Sequence, residues 1–68
     1  MTDRLGNAIK QRRSACGLTQ AELAERVGVT RKTVNTVENG IFVPSTLLAL
    51  KLAEALSVQV EELFWVER

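Results

Sequence analysis

The chain has 68 residues, of which 46% are apolar and 25% charged, and its formal net charge is +1. That length predicts one domain, and the composition is typical of a globular fold rather than of a disordered chain. With no His and one Cys, the sequence lacks the residues for a zinc site and for most acid–base or nucleophilic centres, so we expect no enzymatic activity, no metal and no cofactor.

The single thiol, Cys16, cannot build a disulfide framework, which favours a reducing compartment. No apolar run reaches the roughly 18 residues of a membrane span, and the N-terminus has no signal-peptide pattern. We therefore expect a cytoplasmic protein.

The charges are unevenly distributed along the chain. Seven basic and three acidic residues lie up to Thr36, a net +4, whereas two basic and five acidic residues follow, a net −3. This asymmetry is expected if one surface meets phosphate groups, although an ordinary scatter of solvated charges would look the same.

The N-terminal third predicts two helices. The first runs from about Thr2 or Asp3 to Cys16, with Leu5 and Ile9 on its apolar face. The second begins at the capping box that Thr19 opens, in which a Thr and the Glu three residues later satisfy each other's backbone amides, and it runs to Val27.

A third predicted helix starts after the N-cap Thr30 and ends at the Asn-Gly pair 39–40. The fourth runs from Ser45 to Leu56, a short fifth covers about Val60 to Phe64, and the tail 65–68 is extended. The predicted fold class is all-α, a five-helix bundle with an extended C-terminal tail.

Residues 20–37 carry the most informative pattern. Two helices flank a sharp turn centred on Gly28, where glycine accepts a positive φ without steric cost. A small residue, Ala24, stands where the helices would touch. The apolar residues needed around the turn are present as Leu23, Val27, Val29, Val34 and Val37. Together these features predict a helix-turn-helix.

The run TQAELAERVGVTRKTVNTVENG resembles the Cro/lambda-repressor-like helix-turn-helix regulators, also called the XRE family. The resemblance extends back to Ile9 and forward through PSTLLALKLAEALSVQVEELF to Phe64. It implies a five-helix bundle that binds double-stranded DNA as a homodimeric transcriptional regulator of the short, stand-alone type. Helix 31–37 would then enter the major groove of a pseudo-palindromic operator.

The outward face of the third helix supplies the predicted base contacts. Arg can donate two hydrogen bonds to guanine, Asn pairs with adenine, and a Thr methyl contacts the methyl of thymine. A merely solvated helix face is the alternative. The predicted base-reading residues are Arg31, Lys32, Asn35 and Thr36.

Phosphate contacts are predicted around this helix. Gln20 begins the second helix, where free backbone amides and the helix dipole favour an anion, and the resemblance gives Gln20 and Asn39 backbone-contact roles. Thr30, which serves at least as a cap, and Thr33 are further candidates.

The resemblance also implies an ion pair between Arg13 and Glu38 that clamps the first helix to the third and leaves Arg13 near the phosphates.

Two departures from the family pattern stand out. Ser57 replaces a frequent Gly, so a left-handed backbone there would be strained. The positions around Val43 and Thr46, where relatives use basic side chains, are uncharged.

The region at about 58–68 is predicted to form the dimer interface, joined by Leu47 or Leu48. Alternatively, Phe64 and Trp65 fold back on Leu5 and Ile9 to complete the core. The predicted interface residues are Val60, Leu63, Phe64 and Trp65.

A second functional class remains open at this point: an antitoxin-like module that binds a protein partner and uses DNA only for autoregulation. Copurification of a stoichiometric partner would distinguish it from a dedicated regulator.

Overall fold

The computed structural model describes residues 3–68, so Thr2, one predicted start of the first helix, lies outside the described residues. All five predicted helices are present, which confirms the helical bundle. The all-α class is incomplete, however, because two short strands pair as an antiparallel sheet. In chain order the elements are β1 (Arg4–Asn7), α1 (Ile9–Ala15), α2 (Gln20–Val27), α3 (Arg31–Glu38), α4 (Thr46–Ala55), α5 (Val60–Leu63) and β2 (Phe64–Glu67).

The first helix is shorter than predicted because its N-terminal part is β1. The Oδ1 atom of Asn7 accepts a hydrogen bond from the backbone N–H of Ile9 at 3.1 Å, so the Asn7 side chain stands at the start of α1. Upstream of it, Leu5 pairs with Val66 and Gly6 with Trp65 across the sheet. The predicted start of the first helix was wrong. A strand followed by a helix places Leu5 and Ile9 on the core side, just as a single helix would, so their spacing does not distinguish the two.

Gly6 is required by the close approach of the Trp65 ring. A Cβ atom on residue 6 would lie 2.6 Å from Cε2 of Trp65 and 2.8 Å from Cγ of Glu67. The ring therefore covers the glycine, and its Nε1 donates to Oε2 of Glu67 at 3.3 Å. The extended tail is confirmed, and it folds back on the N-terminal strand.

The core is apolar and draws on every helix. Leu63 is 0% and Phe64 9% exposed, so both belong to the protomer's own core and have little surface left for a partner. For Phe64 this agrees with the alternative in which it completes the core, and a dimer interface in this region would have to use its more exposed residues. Other buried residues are Ile9, Leu23, Val27, Val34, Val37, Leu52 and Leu56.

The helix-turn-helix forms as its local pattern predicts. The hydroxyl of Thr19 accepts from the N–H of Glu22 at 3.1 Å, and the Glu22 carboxylate accepts from the N–H of Thr19 at 2.9 Å, which confirms the capping box. This hydrogen bond to the Thr19 backbone lowers the pKa of Glu22. Gly28 turns the chain with a φ of 76°, and the Thr30 side chain caps α3 through the N–H of Thr33.

Ser57 follows α4 with a φ of 58°, and it is the one non-glycine with positive φ among residues 3–68. The strain expected from its sequence position is therefore present. We predict that Ser57→Gly raises the free energy of unfolding by about 1 kcal/mol, because the relieved strain exceeds the added flexibility of the unfolded chain. Urea denaturation measures this as a higher midpoint with an unchanged slope.

The matched control is Ser14→Gly. Ser14 lies within α1, where glycine lowers helix stability by about 0.5 kcal/mol relative to serine. If both substitutions were to destabilise the protein, the backbone at Ser57 would not be strained.

Candidate nucleic-acid interface

α3 has one buried stripe and one open face. Val34 and Val37 anchor it in the core, whereas Arg31, Lys32 and Asn35 point outward and are exposed. Three of the predicted base-reading residues thus share an accessible face that starts at the N-terminal end of the helix. Two of them are cationic.

Thr36, the fourth predicted base-reading residue, is half-buried. Its hydroxyl lies 3.1 Å from the carbonyl oxygen of Lys32 and 3.0 Å from that of Thr33, so it donates its proton within the helix. The hydroxyl proton is therefore engaged, and the methyl group and an oxygen lone pair are what Thr36 can offer a ligand.

A shallow cleft separates the N-terminal ends of α2 and α3. Arg31, Lys32 and Asn35 line one side and Gln20 the other. A neighbouring concavity is lined by Arg13, Thr19, Gln20 and Arg31. Because Gln20 is the first residue of α2, its backbone N–H has no partner within the helix. Arg31 is the exposed cation beside this concavity.

The Arg13–Glu38 ion pair fixes the position of α3. Nε of Arg13 lies 2.8 Å from Oε2 of Glu38, Nη2 lies 3.3 Å from Oε1, and Nη1 donates to the carbonyl oxygen of Leu18 at 2.9 Å. The two side chains are only 15% and 5% exposed. At such burial, removing one partner costs about 3–5 kcal/mol, mainly through the charge left behind.

Two amide side chains continue from this ion pair to the surface. Nε2 of Gln20 donates to Oε1 of Glu38 at 3.2 Å, and Nδ2 of Asn35 donates to Oε1 of Gln20 at 3.4 Å. Sequence reasoning named each of these residues but missed the contacts between them. No periodicity or spacing indicates such contacts, because they depend on how α2 and α3 are placed in space.

The remaining phosphate candidates surround α3. The Thr30 and Thr33 hydroxyls lie 3.1 Å apart at its start. At its end, Nδ2 of Asn39 donates to the carbonyl oxygen of Asn35 at 2.9 Å, which leaves Oδ1 and the second N–H of the Asn39 amide for other contacts. These candidates lie at the start and the end of α3, and part of each polar group is already used in hydrogen bonds within the protein.

An exposed apolar loop borders the same helix. Ile41 is 76% exposed, and the backbone N–H groups of Ile41 and Phe42 both donate to the carbonyl oxygen of Thr36, which holds the loop beside α3. Sequence reasoning treated residues 41–44 as a connection with an apolar lining. The structure instead turns Ile41, Phe42 and Val43 toward solvent.

Other kinds of site find no support in the part of the chain that the structure describes. Residues 3–68 contain no group of three or more His, Cys, Asp or Glu side chains placed to hold a metal ion. None of the helices among these residues has the length and apolar character to cross a membrane.

Comparison with known proteins agrees with this geometry. A helix-turn-helix family model matches residues 9–63. The chain is 49% identical over 61 residues to the uncharacterized HTH-type transcriptional regulator YgzD of Bacillus subtilis, covering 90% of this chain and 92% of the relative. It is also 49% identical over 57 residues to an uncharacterized HTH-type transcriptional regulator of Methanothermobacter thermautotrophicus, covering 82% and 83% of the two chains.

Among solved structures, the restriction-modification controller protein C.AhdI from Aeromonas hydrophila is similar. Its TM-score is 0.76 at 39% identity, and the match covers 79% of this chain and 82% of that one. The match of the family model over most of the chain, these relatives and the exposed cationic face of α3 lead to one conclusion: the chain belongs to the XRE-type helix-turn-helix family of transcriptional regulators.

Proposed function

We propose that this protein binds double-stranded DNA sequence-specifically as a homodimeric transcriptional regulator in the cytoplasm, with α3 in the major groove. The observation that carries the proposal is the outer face of α3, which lies opposite the buried Val34 and Val37 and presents two cations and an amide. The similarity to a restriction-modification controller supports a controlling role for this chain.

Base recognition would come from the N-terminal half of α3. This end of a recognition helix typically meets base edges in the groove. Arg31 is suited to the O6 and N7 acceptors of guanine, and Lys32 to guanine or a phosphate. Asn35 would contact adenine one turn further along, and the Thr36 methyl a thymine methyl.

Backbone contacts would hold this helix in register. Arg13 and Gln20 line the concavity beside Arg31, where a phosphate would meet the exposed guanidinium of Arg31 and the remaining N–H donors of Arg13 and Gln20. Such contacts position a protein on DNA without carrying sequence information. Thr30, Thr33 and Asn39 are the further proposed phosphate contacts at the two ends of α3.

A second copy of the protein would bind the second half-site of the operator. One recognition helix reads only a few base pairs, and two-fold dimers place their helices about 34–36 Å apart on successive major grooves. With Leu63 and Phe64 in the core, we place the interface on the exposed outer part of this region: Trp65, which is 41% exposed, Val66, which is 53% exposed, and the partly buried Val60.

We predict that Arg31→Ala weakens operator binding by about 1–3 kcal/mol and relaxes base preference at one position in each half-site, because a two-pronged contact to guanine is lost. Selection of bound sites from a random DNA library measures both effects, and it also gives the half-site spacing.

Lys10→Ala is the matched control, since it removes one positive charge from the exposed side of α1, outside the helix-turn-helix. It should leave the selected sequence unchanged. Equal losses for Arg31→Ala on selected and random DNA would contradict a base-reading role.

We predict that Val66→Asp shifts the protein from dimer to monomer in sedimentation experiments, because it places a charge in an apolar interface. Val66 is chosen over Trp65 because the Trp65 ring also packs on Gly6 within the protomer.

Ile41→Asp tests the other exposed apolar segment in the same way. It should leave the dimer intact. A monomer with Ile41→Asp together with a dimer with Val66→Asp would move the interface to the loop beside α3.

A further inference from the structure

A chain of hydrogen bonds runs from α1 to the open face of α3. It starts at the guanidinium of Arg13, passes through the nearly buried carboxylate of Glu38 and the amide of Gln20, and ends at the amide of Asn35. Its inner end is desolvated, with Glu38 5% exposed, and its outer end reaches solvent at Asn35. We call these four residues the polar relay.

The available donors and acceptors allow only one orientation for each amide in the relay. An ionised carboxylate has acceptors only, so Gln20 must turn its NH₂ group toward Glu38. This leaves the Gln20 oxygen facing Asn35, and an oxygen of an amide also only accepts. Asn35 must therefore turn its own NH₂ group toward Gln20, as the 3.4 Å contact shows.

This direction limits what Asn35 can offer to a base. One of its two N–H donors is used by Gln20, which leaves one N–H and the Oδ1 acceptor. Adenine presents one acceptor and one donor in the major groove and matches this pair, whereas guanine presents two acceptors and requires two donors. An unrestrained amide could give both of its N–H groups to guanine.

We infer that Gln20 and Glu38 are positioning residues that fix the amide of Asn35 in the orientation selective for adenine over guanine. This inference rests on the proposed function, in which Asn35 reads a base. It assigns Gln20 a role beyond a phosphate contact and gives Glu38 a part in sequence specificity beyond its ion pair with Arg13.

Gln20→Met tests the relay because it keeps the length of the side chain and the backbone N–H of residue 20 but removes the amide. Sites are selected from a random DNA library and then compared in binding assays with adenine or guanine at the position that Asn35→Ala identifies. We expect Gln20→Met to lower the adenine-over-guanine preference on the order of tenfold, while the position read by Arg31 keeps its preference.

Gln11→Met is the matched control, since Gln11 is an exposed residue of α1 outside the relay. It should change nothing. In an Asn35→Ala background, Gln20→Met should cause no further loss of discrimination between adenine and guanine, because residue 35 then has no amide for the relay to orient.

A uniform loss of affinity with the adenine preference intact would overturn the relay and leave the proposed function standing, since Gln20 would then act on phosphate alone. A wild-type protein with no sequence preference would overturn the proposed function and the relay together.

A readout without DNA separates the relay from binding. In ¹H–¹⁵N spectra of the free protein, the side-chain NH₂ resonances of Asn35 should shift with Gln20→Met and with Glu38→Gln, and stay in place with Gln11→Met. Unchanged Asn35 resonances in Gln20→Met would overturn the relay, even where Glu38→Gln proves too unstable to measure.

Discussion

The nearly desolvated carboxylate of Glu38 is the constraint around which the helix-turn-helix is arranged. A charge with so little access to water is tolerated only when its oxygens are paired and hydrogen-bonded, and here a guanidinium and an amide together satisfy them. Since Arg13 also binds the carbonyl oxygen of Leu18, the charge ties α1, the start of α2 and the end of α3 to one point. This pairing therefore contributes to the placement of α3.

Such polar contacts are needed because the apolar core is small. A domain of this length buries only a modest fraction of its surface, so apolar packing alone gives limited rigidity. α3 contributes two valines to the core, and hydrogen bonds of Glu38 and Asn35 are further attachments. Those attachments are directional, as apolar packing is not, and they set the orientation of side chains as well as the position of the helix.

The features that could be predicted from the sequence are those with local causes. The Thr19 capping box and the turn at Gly28 depend on a few neighbouring residues, and both are confirmed. Ser57 was marked only by its departure from the family pattern, and its backbone is left-handed. The strand at Arg4–Asn7 could not be recognised, because its partner lies about sixty residues away and Leu5 fits a helical spacing equally well. The contact of Gln20 with Asn35 depends on the placement of two helices, which no pattern within either helix encodes.

The side chain of Asn7 joins the sheet to α3. Its Nδ2 group donates to the carbonyl oxygens of Val37 at 3.1 Å and Glu38 at 3.4 Å, in the last turn of α3. Any event that displaces β1 must therefore stretch or release bonds to α3. Where self-association alters the sheet, it is thermodynamically linked to the proposed DNA binding, and each event would change the affinity of the other by the same factor.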